Sequence, residues 1–502
     1  MYFGKKTRVG AVSRNRKDRT APCVIALAKD TSRFQKVAIH MTSAFPRTLA
    51  PQVLGPIRFG YGHAVDVDVP ATATDIFASL TLPDVNAALY QPMASYDTVL
   101  AEVRVKNLLS KANKTGDEDA LAEGRKLRQA QRSSNLVDTA GAFARMVDTP
   151  SPFRARLEWH FTNHFSLRHR NVRWIGASLG FVDEAIRPHI MGHFSDMLRA
   201  VETHPVMLMY LDQHISVGPN SPFGRKRKKG LNENLAREML ELHTVGTGYV
   251  QKDVRQLAQL LTGQIIDKTQ RAAFDPMRAE PGTATVMGVT YEGDTPPKFT
   301  AITTVLNDLA NSPLTAHHVS TRLAQHFVSD TPDPDLIDSM VAAWMTSDGY
   351  LPRVYDAMLA HPASWRDFGA KVKTPLEFIG SSLVAIGVSG ADILAIKPNQ
   401  FKKHLLAPVR NMGQQFLYPP SPEGWPEDAP SWITPQLLSE RLSWAMTAPH
   451  LSRMGGFRRP HHWAQRVLGE AARPELITAL TRASNTLEGA GLMLAAPDFQ
   501  RR

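Results

Sequence analysis

From about Ala71 onward apolar positions recur at three- and four-residue intervals, and alternating Val/Ile/Thr runs are scarce. This spacing predicts a body built from amphipathic helices. In 153–167, Phe153, Leu157, His160, His164 and Leu167 share one helical face. A second stripe, Leu231, Leu235, Glu238, Leu242 and Val245, follows Asn232, a good N-cap with Glu233 in the first turn. Glu238 then sits in the middle of an apolar face. A carboxylate buried there without a partner costs several kcal/mol, so it requires an arginine, a histidine, a metal or a proton. Glu233, Arg237 and Glu241 run along another side as a surface ion-pair ladder.

Breaks in the pattern divide the chain. Pro51–Gly62 reads as loop and turns. Residues 105–135 are polar and charged, which suits an exposed helix or a mobile insertion. Between 270 and 299, prolines and glycines surround Thr285–Tyr291, a short apolar stretch that reads as a β-hairpin. A second proline-rich loop, Leu417–Pro435, carries Trp425 and Trp432 over the surface. The expected fold is all-α and two-lobed with a small β-hairpin insertion. Its parts are a basic arm at 1–50, an N-terminal helical lobe at 51–269, the hairpin segment, and a C-terminal helical lobe at 300–502.

A length of 502 residues exceeds what one hydrophobic core supports, in line with two lobes. The net charge of +11 changes meaning once located. Residues 1–50 hold eleven Lys/Arg against Asp18 and Asp30, so the arm carries +9 and the remaining chain only +2. A basic arm without interleaved aromatics reads as a solvated tail, with no specific nucleic-acid binding expected. The single cysteine, Cys23, excludes an internal disulfide framework and a cysteine-based zinc site. The apolar run Cys23–Ala28 is shorter than a secretory signal requires and no run is long enough to span a membrane, so a cytoplasmic location is expected for the sequence as written.

Candidate chemistry is sparse. No phosphate-binding GxxxxGK[ST] loop occurs. His160 and His164, one turn apart, suit a shared metal or two satisfied core histidines; His189 and His193 form a similar pair. Arg225, Lys226, Arg227, Lys228 and Lys229 precede the Asn232 helix start, as a solvated loop or as an anion site against that N-terminus.

Several segments are similar to one family. Pro152–Leu157 (PFRARL) with Asn163-His164-Phe165, Glu184–His189 (EAIRPH), His204–Asp212 (HPVMLMYLD) and above all Gly230–Gly246 (GLNENLAREMLELHTVG) resemble the domain of unknown function 1800. Phe327–Asp330, Lys373–Phe378, Gly424-Trp425-Pro426 and Leu494–Gln500 keep the same order. The resemblance implies a bacterial protein from a family whose members are often exported, which makes the periplasm the alternative location. It also implies a partner resembling sulfatases and alkaline phosphatases. Three departures stand out: His160-Phe161 replaces an aromatic pair, Val250 replaces a helix-capping threonine, and a histidine is replaced near Ala279. The matched segments supply Arg187 and His164 as partners for Glu238, giving a catalytic trio, with His160, His164 and Glu238 as metal-ligand candidates. The sequence names no cofactor. It leaves two functions open, a metal- or acid/base-dependent enzyme and a non-catalytic accessory or scaffold protein.

Overall fold

Many helices of this chain begin in the same way: a short polar residue, then proline. Ser151, Ser221, Ser312, Asp333, Thr374 and Thr434 each precede a proline, and each side chain accepts a hydrogen bond from a first-turn backbone N–H. Proline presets φ where no intrahelical N–H is needed, and the cap satisfies a donor otherwise left without a partner. The result is a computed structural model with an all-α fold and two small antiparallel two-stranded sheets among the described residues. Those residues are 48–64, 68–84, 90, 94–168, 174–292, 296–452 and 459–502. The basic arm, Cys23 included, lies outside them but for its last three residues. No helix among them is long and apolar enough to cross a membrane.

Pro51–Phe59 is a helix, where punctuation by proline and glycine had suggested a loop. Pro51 stands at its start, and Ile57, Arg58 and Phe59 at its end are buried. The polar stretch 105–135 forms helix, divided between Ser95–Thr115 and Glu118–Asp148, which pack against each other through small contacts such as Gly124 on Leu109. The expected hairpin is present as β3 (Ala284–Val286) and β4 (Val289–Tyr291), joined at Met287-Gly288, both with positive φ as a tight hairpin turn requires. A second ribbon, β1 (Gln264–Ile266) with β2 (Ala272–Phe274), precedes it.

Two hydrophobic cores hold the chain. One runs from Phe59 and Phe153 through Phe194, Leu240 and Trp344 to Ala363. The other gathers Leu54, Phe143, Phe378, Phe401, Trp444 and Phe499. The helix Pro152–His164 contributes to both, with Leu157 and Phe161 in the first and Ala155 in the second, and Trp365 packs on both. The polar residues of that helix therefore lie where the two cores meet.

The helix Gln251–Leu260 shows what the missing cap threonine changes. Val250 N–H donates to Asp253 Oδ2 at 2.9 Å, which is half of a capping box; valine has no side-chain oxygen to return the bond. Val250 is also 61% exposed. Val250→Thr is expected to stabilise the protein by about 0.5–1 kcal/mol in chemical denaturation; a loss of stability would show that the exposed valine packs on something instead.

Candidate functional site

The sequence candidates separate in the folded chain. Arg187 belongs to an ion network with Glu158 (2.9 Å), Asp183 (3.3 Å) and Asp84, and Arg145 joins Asp183 at 3.0 Å. Burial disfavours the Arg187 cation, but these three carboxylates more than reverse that and keep it charged. Glu238 is half-buried and not in the centre of an apolar face. The buried residues of its segment are Leu235, Ala236, Met239, Leu240 and His243, and Glu238 flanks them. The helix opens at Asn234, after Leu231, and its buried positions Leu235, Ala236, Met239, Leu240 and His243 recur at i, i+1, i+4, i+5 and i+8, a face that leaves Glu238 at its edge. Partial burial raises the Glu238 carboxyl pKa, and the nearest opposing influence is His243. Arg225–Lys229 are all exposed; three of them close the six-residue helix Pro222–Arg227, where positive charge complements the carbonyl end.

His160 and His164 do face inward, 3% and 1% exposed, and they open a file of imidazoles. Ring centroids run 5.1 Å from His326 to His160, 6.4 Å from His160 to His164, then 6.3 Å to His243 and 6.1 Å to His318. His164 Nε2 lies 3.1 Å from the His243 carbonyl, which only accepts, so Nε2 carries the proton and Nδ1 is bare, buried and unpartnered. His318 Nε2 likewise donates to the Leu242 carbonyl at 3.1 Å, and Gly246 leaves room for its ring, since a Cβ there would stand 2.5 Å from His318 Nδ1. His243 Nδ1 lies 2.7 Å from Glu202 Oε1, with Glu202 fully buried.

At the other end of the file, the donor atoms of His160, His326 and Glu427 all lie within 4.8 Å of one another. Three segments deliver them: the helix Pro152–His164, the last turn of the helix Pro313–Phe327, and the proline-rich loop. Asn163, one residue short of the end of the first helix, holds that loop like a paired strand. Its Nδ2 donates to the Trp425 carbonyl (2.9 Å) and its Oδ1 accepts from Trp425 N–H (2.7 Å). Gly424 permits the approach, because a Cβ there would meet Asn163 at 2.6 Å and its φ is +92°. Lys371 Nζ donates to the Glu427 carbonyl at 2.5 Å and to Asp330 at 2.6 Å, and Trp432, expected at the surface, is 2% exposed and donates to the Pro426 carbonyl.

The electrostatics can be read from donors and acceptors. Arg156 Nη2 faces His326 Nε2 at 3.2 Å, and a guanidinium only donates. His326 Nε2 is therefore the acceptor, and its Nδ1–H donates to Glu427 Oε1 at 2.8 Å. Arg156 also binds Glu377 at 2.5 Å, and Arg502 reaches the same oxygen at 3.1 Å. Burial pushes both carboxyls up, yet the surrounding cations and His326 outweigh it; Glu427 is held far below the usual range and Glu377 at about 2. Desolvation holds His160 and His164 neutral. Buried atoms at this end that lack a hydrogen-bond partner in the structure include both ring nitrogens of His160 and Oε2 of Glu427, with Nε of Arg156 and of Arg322 beside them. His160 and Glu427 border an open cleft of about 340 Å³ also walled by Arg322, Asp330, Glu423 and Asp428.

An all-helical protein with a file of buried histidines ending in a His/His/Glu cluster is the class that fold and site define. The family model for proteins of unknown function DUF1800 matches residues 57–501, nearly the whole chain, and the protein belongs to that family. No curated protein and no solved structure matches the chain.

His326 and Glu427 were not among the sequence candidates. Each lies within one residue of a segment that carries the family resemblance, His326 before Phe327–Asp330 and Glu427 after Gly424-Trp425-Pro426. That adjacency was the available signal.

Proposed function

We propose that this chain is a metal-dependent hydrolase whose centre is formed by His160, His326 and Glu427. The observation that carries the reading is that the buried ring of His160, with one acceptor nitrogen in its neutral form, and Oε2 of Glu427 have no hydrogen-bond partner and stand next to a third donor residue, His326. A buried polar atom without a partner is destabilising by about 1–3 kcal/mol, and such atoms converging from separate segments point to a ligand that satisfies them together. Two imidazoles and one carboxylate are a donor set of catalytic zinc sites, which leave a position for water. Drawing donors from 4.8 Å to the roughly 2.0–2.2 Å bonds of such an ion needs a contraction of about 1–2 Å. Neutral His160 and ionised Glu427 are already in their ligating forms.

In this reading each residue has a task. His160 and Glu427 bind the ion directly. His326 would ligate through Nδ1 once its proton shifts to Nε2, with Arg156 turned away from that nitrogen and kept by Glu377. The bound ion lowers the pKa of its water toward neutrality and so supplies the nucleophile. Asn163 and Gly424 are positioning residues that hold Glu427 at the cleft.

Calorimetric titration of chelator-treated protein with Zn²⁺ tests this. One ion per chain is expected, with proton release to the buffer, and His160→Ala and Glu427→Gln are each expected to weaken binding at least a hundredfold while leaving the fold intact. A chain that takes up no Zn²⁺, Fe²⁺ or Mn²⁺ favours the second reading, a non-catalytic accessory or scaffold protein beside a sulfatase- or phosphatase-like partner. The occupation of His326 Nε2 by Arg156 supports that alternative, since it fits a polar network that only fixes how the helices dock.

A further inference from the structure

We propose that the face formed by Ile215, Met277 and Arg225–Lys229 lays the protein on an anionic lipid bilayer, with the two apolar side chains entering the headgroup layer and the cations meeting lipid phosphates. This face shares no residue with the metal centre and does not depend on it. Three segments build it. Gly218 N–H donates to the Arg278 carbonyl at 2.8 Å, Val217 N–H to the Gly230 carbonyl at 3.2 Å, and Phe223 N–H to the Met277 carbonyl at 2.9 Å. These bonds lay the segments 215–218, 222–231 and 275–278 side by side around an open groove lined by Ile215, Val217, Phe223, Lys229, Leu231 and Arg278.

Two large apolar side chains project from this face. Ile215 is 58% exposed and Met277 55%. The fold holds both outward: Ile215 closes the turn Gln213–Ile215, and Met277 N–H donates to Asp275 Oδ1 at 3.0 Å. A single exposed apolar residue is ordinary. Two of them beside a run of cations supply both terms of peripheral membrane binding, apolar insertion and attraction to anionic headgroups.

The charge of the run is not neutralised locally. Nearby acids are engaged elsewhere: Asp275 by Arg278 at 3.3 Å, Glu280 by Asn220, and Glu233 by Arg237 at 3.4 Å and Gln251 at 2.8 Å. None of the side chains of Arg225–Lys229 forms an ion pair among the described residues. The helix end at Arg227 favours three of these cations, but Lys228 and Lys229 lie beyond it. Five successive like charges repel one another, and an anionic surface relieves that repulsion. The arm at 1–50 carries a further +9, and its sign argues against it as the occupant of the groove. An extended anionic surface accepts arm and run together, whereas a single acidic peptide is contested between them. Each lysine or arginine close to an anionic bilayer strengthens binding about fivefold.

Co-sedimentation of the full chain with vesicles at about 0.15 M salt tests this. Binding is expected to vesicles of equal parts phosphatidylcholine and phosphatidylglycerol, and not to phosphatidylcholine alone. Arg225→Gln, Lys226→Gln, Arg227→Gln and Lys229→Gln together, with Lys228 kept for its left-handed φ of +51°, are expected to weaken binding by about twentyfold or more. Ile215→Ser with Met277→Ser is expected to weaken it by about threefold or more. All of the replaced side chains are exposed, so the unfolding midpoint should match that of the wild type; Ile215→Ser alone serves if the double variant does not fold. A wild-type chain that ignores the anionic vesicles overturns the proposal, and so does unaltered binding of the glutamine variant, which assigns the contact to the arm. Binding lost in the glutamine variant but kept in the serine variant also overturns it, as the mark of a general polyanion contact. Polyglutamate held by a chain that ignores vesicles would replace the bilayer with an acidic protein partner.

Discussion

Glu377→Gln is expected to destabilise the protein by about 3–5 kcal/mol, the largest single effect of those considered. Glu377 occupies the third position of the helix Pro375–Ala385 and completes a capping box with Thr374. Glutamine preserves that cap. What it removes is the charge facing Arg156 and Arg502, 2% and 0% exposed, whose side chains meet at Glu377 Oε1. Each arginine retains backbone carbonyls as acceptors, Arg58 and Gly60 for Arg156, and His326 and Phe327 for Arg502. Carbonyl dipoles solvate a cation only in part, and two buried cations without a counterion repel each other. Urea denaturation of the variant measures the difference. A change under 1 kcal/mol would mean that the carbonyls suffice and that Glu377 is a cap alone.

The second large effect is acid instability of the metal-free protein. His160 and His164 have pKa values pushed well below 6.5 by desolvation, His326 is lowered by the same cause against the pull of Glu427, and His318 lies at about 4. Above pH 6.5 these rings are neutral whether the chain is folded or unfolded, so they exert no pH-dependent effect. As pH falls from 6.5 toward 4, the unfolded chain takes up protons that the folded chain cannot, and stability drops. Each fully buried ring contributes up to about 1.4 kcal/mol per pH unit, so His160, His164 and His326 together give about 4 kcal/mol per unit at most. Glu377 and Glu427, with folded pKa values depressed, add a further loss below about pH 4.5. Denaturation midpoints at pH 7.5 and pH 5.5 should differ steeply, and His160→Phe, which removes one titrating ring but keeps an aromatic, should flatten the slope. A flat profile between these pH values would show that water or an anion already reaches the rings.

The helical body was legible in the sequence because period and capping agree: the apolar face of Phe153, Leu157, His160 and His164 is buried as its spacing implies. The hairpin at Val286–Val289 was legible for the same reason, a short apolar run broken by Met287-Gly288. The site was legible in part. His160 and His164 are one turn apart and any helix aligns them, whereas His326 and Glu427 stand 166 and 267 residues beyond His160 and only the docking of separate segments brings them in. Glu427 also lies in a loop whose prolines suggested a surface wrap, and the contacts that fold it inward come from Asn163, Lys371 and Trp432, distant in sequence or unreadable as partners. The core-facing placement of Glu238 failed because the stripe was drawn through Leu231 and Leu242, whereas the buried face runs through Leu235, Ala236, Met239, Leu240 and His243.

The centre itself can be observed directly. Crystals of the protein grown with Zn²⁺ and recorded on both sides of the zinc absorption edge should show one anomalous peak within about 2.0–2.2 Å of His160, His326 and Glu427, with a water completing the shell toward the cleft. Crystals with no peak at that position, and with the nitrogens of His160 and Oε2 of Glu427 bonded to water or to each other, would contradict the metal centre.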